Sequence, residues 1–162
     1  MKKNLLRISV PTIALGLLLV YVSIVTAKDD QSPVTSQDLS ILKIHNITLK
    51  KPTSAAAIPE FNAIEIASKF APGMASTAKS ITTEYQLMTN PGATLTGVAV
   101  EKNSQLKKDG HLNDTPVYIV TFKGVSLKGH DVWEGKAPTN FTEDNVIVDA
   151  TTGEVIASYS YK

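Results

Sequence analysis

Apolar and polar positions alternate at the end of the chain in the way that predicts a β-hairpin. Within residues 154–161, the side chains on every second position are apolar or aromatic: Val155, Ala157, Tyr159 and Tyr161. This two-residue period is typical of a strand with one buried face. Residues 146–148, Val-Ile-Val, supply the partner strand. The five residues between the two strands, 149–153, predict a compact turn.

Two residues of this turn suit specific roles in a tight hairpin. Gly153 can adopt a positive φ without the steric penalty of a Cβ atom, which a short loop ending in a bulge requires. Asp149 can accept hydrogen bonds from backbone N–H groups two and three residues further on. A calcium loop would need several more acidic oxygen ligands than this turn holds. Turn capping is therefore the better interpretation of Asp149.

The same two-residue period recurs upstream. Residues 80–89 alternate and predict a strand that ends at the Asn-Pro-Gly turn of residues 90–92. Residues 94–102 predict a further strand, which Gly97 weakens. Residues 116–127 predict the central strand. Both of its faces are apolar for most of its length, so we expect it to be covered on both sides.

A helical period precedes these strands. Four apolar side chains recur at every third position and predict a short helix with one apolar stripe: Phe61, Ile64, Ala67 and Phe70. Pro59 suits the first helical turn, and the Pro-Gly pair of residues 72–73 ends the helix. One short helix followed by about five antiparallel strands predicts an α+β fold over residues 58–162, with the helix packed on the sheet.

Two polar segments are predicted to be loops. Residues 103–115 form the first, with the Lys-Lys-Asp-Gly sequence of residues 107–110 at its tip. Residues 128–144 form the second, and this length is typical of functional loops. Its candidate partner-binding residues are Trp133, His130 and Phe141. Two interpretations of Trp133 stay open: it anchors an interface, or it folds back to cover an edge of the core.

The beginning of the chain predicts export. Residues 8–27 contain no charged side chain, and a helix of this length rises about 30 Å, enough to cross a bilayer. The basic residues Lys2, Lys3 and Arg7 precede this block, so the positive-inside rule places the rest of the chain outside the cytoplasm. Small residues up to Ala27 fit signal-peptidase cleavage. A cleaved signal peptide and a retained single-span membrane anchor both remain open.

Residues 28–57 are predicted to be a tether. Serine, threonine, glutamine, aspartate and two prolines interrupt this segment. Residues 39–49 are too apolar for a simple linker, and their mixed period fits either a strand or a short helix laid against the domain.

Composition limits the chemistry of the chain. Setting aside Lys2, Lys3 and Arg7 leaves 13 basic and 15 acidic residues, a formal charge of −2, so nucleic acid is not an expected partner. There is no cysteine for a disulfide, a thiolate nucleophile or a thiolate metal site. The three histidines lack the spacing of a metal site, and no nucleophile elbow or nucleotide-binding loop occurs. We therefore expect no cofactor, no metal and no enzymatic activity.

The order of elements over residues 59–162 resembles a PepSY-type domain. The resemblance rests on the short helix, the strand of residues 116–122 and the strand–turn–strand of residues 145–156. It implies a non-catalytic module of exported or membrane-attached bacterial proteins, proposed to bind or restrain peptidases. Asp149, Thr152 and Gly153 match the family's turn motif, where their role is structural. The alternative is a wall- or matrix-associated structural domain with no peptidase partner.

The first testable prediction concerns topology. Because basic residues precede the apolar block, we expect residues 28–162 to be accessible from outside the cell. Protease added to intact cells should remove this part of the chain from the cell-associated fraction, while a cytosolic protein stays intact. Protection equal to that of the cytosolic protein would contradict an extracytoplasmic location.

Overall fold

A five-stranded antiparallel sheet forms the centre of the computed structural model, which describes residues 35–128 and 140–161. Each strand pairs with its neighbour along the chain, so the order across the sheet is β1-β2-β3-β4-β5. The strands are β1 (Thr48–Lys50), β2 (Ser80–Asn90), β3 (Leu112–Lys128), β4 (Asn140–Asp149) and β5 (Val155–Tyr161). The predicted α+β fold with an antiparallel sheet of five strands is confirmed.

Short helices cover both faces of this sheet. They are α1 (Leu39–Ile44), α2 (Glu60–Phe70), α3 (Pro72–Thr77), α4 (Val98–Lys102) and α5 (Ser104–Asp109). Helices α1, α4 and α5 pack on what we call the α1 face, and α2 and α3 pack on the opposite α2 face. The sequence predicted α2, left a short helix within residues 39–49 as one of two possibilities, and missed α3, α4 and α5.

Strand β3 contributes to a separate core on each face. Val117 and Ile119 lie in the core of the α1 face with Ile147 of β4. Tyr118 and Val120 point the other way, into the core of the α2 face. Successive side chains of a strand alternate between faces, so a strand that is apolar on both needs cover on both. The cover expected for this strand from its sequence is present.

The prediction of a strand over residues 94–102 is wrong. Within this range the structure has the helix α4, which begins at Val98. Gly97 precedes it with a φ of 89°, a conformation in which the chain can leave extended geometry. Ala99 is then buried on the α1 face. The period of a short apolar run cannot distinguish a strand from a helix. Here the segment forms a helix that covers the α1 face of the sheet.

The loop predicted over residues 103–115 is also incorrect. Helix α5 begins after Asn103, whose side-chain oxygen accepts a hydrogen bond from the backbone N–H of Gln105. It ends at Gly110, which has a φ of 71°. Leu106 is fully buried between these caps. An asparagine at the N-cap and a glycine at the C-cap are sequence signals of a helix. The sequence analysis predicted a loop because the segment is polar.

The loop predicted over residues 128–144 is incorrect at both ends, which belong to strands, and residues 129–139 lie outside the described residues. Strand β3 continues to Lys128 and β4 begins at Asn140, which is its partner in the sheet. Residues 140–144 form the start of β4, where Asn140 and Thr142 are exposed and Asp144 is buried. Trp133 and His130, two of the candidate partner-binding residues, lie outside the described residues.

Helix α2 buries part of the predicted stripe, Ala67 and in part Ile64, but not its two phenylalanines. Ala63 and Ala67, which are spaced by four residues, are fully buried, whereas Phe61 is 67% exposed and Phe70 is 54% exposed. Alanines let the helix axis approach the sheet closely, and the bulkier aromatic residues are left outside the contact. Helix α2 ends at Phe70, just before the Pro-Gly pair of residues 72–73, as predicted, and the same pair also begins α3.

The predicted tether contains ordered structure next to the domain. Both α1 and β1 lie within it, and β1 pairs with β2 through Leu49, opposite Met88. Leu42 of α1 is buried in the core of the α1 face. The predicted signal or anchor segment, residues 1–27, lies outside the described residues. Among the residues that are described, none belongs to a helix long and apolar enough to cross a membrane.

The closing hairpin has the geometry expected of its turn. Gly153 has a φ of 77°, and its N–H donates to the carbonyl oxygen of Asp149 at 2.8 Å. The pairing shifts after this turn, since Val155 pairs with Val148 while Ala157 pairs with Ile147. Because of this one-residue bulge, the side chains predicted to share one face of β5 lie on both faces of the sheet. Val155 packs on the α2 face, whereas Tyr159 packs on the α1 face.

The second testable prediction uses the turn glycine. Gly153→Val should lower the free energy of unfolding by about 1–3 kcal/mol because a β-branched residue is strained at positive φ. A Cβ atom there would also lie 3.4 Å from Ile66 Cδ1. Gly153→Asn is the control, since asparagine tolerates this conformation better. Denaturant midpoints measure both, and a valine variant that unfolds with the parent would contradict the turn geometry.

Candidate functional site

A groove of about 560 Å³ opens on the α1 face. Helix α1 forms one wall, the segment after β2 forms another, and the middle of β5 forms the third. Its floor is apolar and includes Met88 and Ile147. No aspartate, glutamate, lysine or arginine of the described residues lines it, and the polar residues of its lining include His45, Asn46 and Asn90.

The groove exists because the elements around it are short or carry small side chains. Helix α1 has only six residues and buries only one of them, Leu42. Gly92 and Ala157 border the groove and leave space that larger side chains would fill. Ile44, at the end of α1, lines the groove and is 76% exposed. A large apolar side chain is thus available to a bound molecule without any rearrangement.

The lining defines the chemistry that the groove accepts. Apolar side chains entering it would exchange water for contact with isoleucine, leucine and methionine. A charged group would lose hydration without meeting an opposite charge, which is costly. The rim offers neutral amide and hydroxyl groups that can hydrogen-bond to a polypeptide backbone. The arrangement suits an uncharged, largely apolar segment.

Helix α1 is held in place by the residues just before it, 35–38, which we call the strap. The amide of Gln37 is buried and hydrogen-bonded at both its nitrogen and its oxygen: its Nε2 donates to Thr121 Oγ1 at 3.0 Å. Its Oε1 accepts from the hydroxyl groups of Tyr159 at 2.9 Å and Tyr161 at 3.0 Å. Burial raises the pKa of Tyr159, with a further contribution from Tyr161, so the phenol stays a neutral donor.

The polar contacts under the strap continue into the sheet. Thr121 Oγ1 donates to Asn145 Oδ1 at 2.7 Å, and Asn145 is 0% exposed. Its Nδ2 atom has no hydrogen-bond partner among the described residues. A buried donor without a partner costs about 1–3 kcal/mol. Loss of the Gln37 contacts would leave further buried polar groups of this cluster without partners.

Glu84 of β2 holds the beginning of the strap. Its carboxylate accepts hydrogen bonds from the backbone N–H of Ser36 at 2.8 Å and from the hydroxyl groups of Ser36 and Thr35. Burial raises the pKa of Glu84, but these hydrogen bonds outweigh it and bring the pKa below its ordinary 4.5. This part of the stability is present above pH 4.5 and is lost as pH falls through the lowered pKa.

The residues predicted at the turn take structural roles in the geometry. Asp149 is 0% exposed, and its Oδ1 accepts from the backbone N–H of Thr151 at 2.8 Å. Its Oδ2 accepts from Thr152 Oγ1 at 2.8 Å and from Asn103 Nδ2 at 2.7 Å. Because Asn103 also caps α5, the carboxylate joins the hairpin turn to that helix. The sequence missed this long-range contact.

The remaining predicted site residues lie away from the groove lining. Phe141 is half-buried in β4 and pairs with Leu127 of β3. Its role as a partner-binding residue stays a prediction, as do those of Trp133 and His130 outside the described residues. The groove's own residues escaped the sequence analysis because Ile44 and His45 fall in the segment predicted to be a tether.

Histidines and carboxylates are scattered in the described part of the chain. His45 lies exposed at the groove rim, while His111 lies just before β3. Over residues 35–128 and 140–161, no three side chains of histidine, cysteine, aspartate or glutamate come close enough together to hold a metal ion.

Comparison with known proteins adds no relative. No protein-family model matches the chain, and neither a curated protein nor a solved structure matches it. The resemblance to PepSY-type domains, drawn from residues 116–122 and 145–156, therefore stays a prediction from the sequence.

The third testable prediction concerns the strap. Gln37→Leu should leave Thr121 Oγ1 and two tyrosine hydroxyl groups without their buried partner, and should lower the free energy of unfolding by about 1–3 kcal/mol. Amide hydrogen exchange in α1 should accelerate more than in β3, since the strap holds that helix.

Gln105→Leu is the matched control, because this glutamine is exposed on α5. We expect it to change stability by no more than about 0.5 kcal/mol. Equal unfolding midpoints for the Gln37 variant and the parent would show that the buried amide does not hold the strap.

Proposed function

We propose that the domain containing residues 35–161 is a non-catalytic, extracytoplasmic module that binds a partner protein through the groove on the α1 face. The groove carries the proposal: it is apolar at its floor, uncharged along its described lining and bordered by exposed Ile44. The partner contributes an uncharged segment whose apolar side chains enter the groove. The location outside the cytoplasm follows from the sequence of residues 1–27, which attach the domain to the membrane if they are not cleaved.

The partner class that we propose is a peptidase. Support comes from the sequence of the closing hairpin, since Asp149, Thr152 and Gly153 match the turn of PepSY-type domains. The described structure agrees with a structural role for this turn, because the Asp149 carboxylate is occupied by hydrogen bonds to its neighbours. A restraining module of this kind works by occupying or holding its partner rather than by chemistry of its own.

A wall- or matrix-associated structural domain is the alternative that the sequence left open. Such a domain needs solubility and a spacer, and it has no need of an accessible apolar groove. Exposed apolar side chains that border a concave surface are more typical of binding sites. The groove therefore favours partner binding over a purely structural role.

The fourth testable prediction compares two exposed apolar residues on opposite faces. Ile44→Glu, at the groove, should reduce recovery of the bound protein at least about tenfold, because a carboxylate would be desolvated in an uncharged site. Phe61→Glu on α2 is the matched control and should leave recovery unchanged. The full-length chain is purified from membrane and secreted fractions, and each co-purifying protein is quantified against the parent. Both side chains are exposed in the structure, so neither change should alter the unfolding midpoint.

The peptidase assignment has its own readout. The recovered protein should hydrolyse a fluorogenic peptide, and adding the parent chain should slow this hydrolysis while the Ile44→Glu variant should not. A recovered protein without peptidase activity would contradict the partner class but keep the binding function. Equal recovery with both variants, or no enriched protein, would contradict binding through the groove and favour a structural domain.

A further inference from the structure

The two edges of the sheet differ in how well they are protected from pairing with another strand. Strand β1 has only three residues and ends in Lys50, which forms an ion pair with Asp114. Short length and a lysine are common devices that prevent edge pairing. Strand β5 has seven residues, Val-Ile-Ala-Ser-Tyr-Ser-Tyr, with neither a charge nor a proline. Its one-residue bulge lies at the start of the strand, between Val155 and Ala157, and the rest of the strand has none of the features that usually block an edge.

The centre of β5 is also its most exposed part. Among the described residues, β5 pairs only with β4. Ala157 and Ser158 are exposed, while the residues on both sides of them are partly or fully buried. Lys102, the last residue of α4, forms an ion pair with Glu154, which directly precedes β5. Backbone groups in the middle of β5 that point away from β4 are therefore open to a further strand.

We propose that a second copy of this chain pairs with β5 through its own β5, so that the five strands of each copy join in one continuous antiparallel sheet. A two-fold axis beside Ser158, the middle residue of the strand, places each Ser158 opposite the other. Ala157 then lies opposite Tyr159 of the second copy, which sets a small side chain against a large one on the same face. No like charges meet anywhere along the seven residues.

The position of the N-terminal segment favours a second copy over a strand of another protein. An axis between antiparallel edge strands runs perpendicular to the sheet, so the α1 faces of both copies point to the same side. The strap lies on that face, since Gln37 contacts Thr121 and Tyr159 there. Residues 1–34 precede it in the chain. Residue 35, at the start of the strap, thus lies on the same side of the dimer in both copies. This arrangement fits two chains attached to one membrane, so this step rests on the proposed membrane attachment.

Pairing through this edge stops at two copies. The interface is isologous, because the same strand is used by both chains, and it consumes the only long unprotected edge that the described sheet offers. The outer edges of the dimer are the two short β1 strands. The grooves lie on the α1 faces beside the axis, because the strands that pair also form one wall of each groove. A cross-link between the two copies requires no partner, so it tests the dimer separately from binding at the groove.

The fifth testable prediction uses the absence of cysteine from the chain. Ser158→Cys is introduced into the full-length protein in its own membrane, and a mild oxidant is added. Directly opposed residues of antiparallel strands have Cα atoms about 4.5–5.5 Å apart, which falls within the range of a disulfide. We expect a reducible band at twice the monomer mass. Ser76→Cys, on the exposed helix α3, is the control and should stay monomeric.

A second variant tests the same surface without a cross-link. Ser158→Lys should place two like charges at the axis and reduce the dimer fraction at least about tenfold in analytical ultracentrifugation of the solubilised chain, whereas Ser76→Lys should leave it unchanged. Ser158 is exposed, and an unchanged unfolding midpoint in the dissociated variant shows that the fold is intact. Equal cross-linking of the two cysteine variants, a monomeric parent chain, or a cross-link from the Ser158→Cys variant to a different protein would each overturn the proposal.

Discussion

Strand β3 imposes the constraint on which the rest of the structure depends. It is long, central and apolar on both faces, so no single layer of helices can bury it. Val120 and its neighbours on one face require α2 and α3, while Ile119 and its neighbours on the other require α1, α4 and α5. The short helices are the means by which a chain of this length covers a second face, and the groove is the space that they leave.

The parts of the fold that the sequence predicted well are those decided locally. The turn at Gly153 needs a positive φ, and the two strands beside it are rich in residues that favour extended structure. The helix over α2 was predicted from its period, although Ala63 and Ala67 form the buried stripe in place of the phenylalanines. A period identifies an element, whereas the distance between that element and the sheet decides which side chains it buries.

The parts that were missed depend on contacts between distant residues. Helices α4 and α5 have five and six residues, too few for periodicity to identify them, and they form over a sheet face that needs cover. The candidate site was even harder to predict from the sequence. Gln37 and Tyr159 are separated by 122 positions in the chain, yet their hydrogen bond helps to place the wall of the groove. No local pattern near Gln37 distinguishes it from a solvated linker residue.

The strap shows why a polar contact suits this position better than an apolar one. An apolar side chain in place of Gln37 would tolerate several positions over the sheet, since dispersion contacts have little directional preference. The Gln37 amide instead donates to Thr121 and accepts from Tyr159 and Tyr161. These directional hydrogen bonds allow only one position of the side chain over the sheet. Helix α1 begins two residues later and carries Ile44 to the groove. A directional contact at the strap therefore sets the shape of the binding surface, which a helix held by Leu42 alone would leave variable.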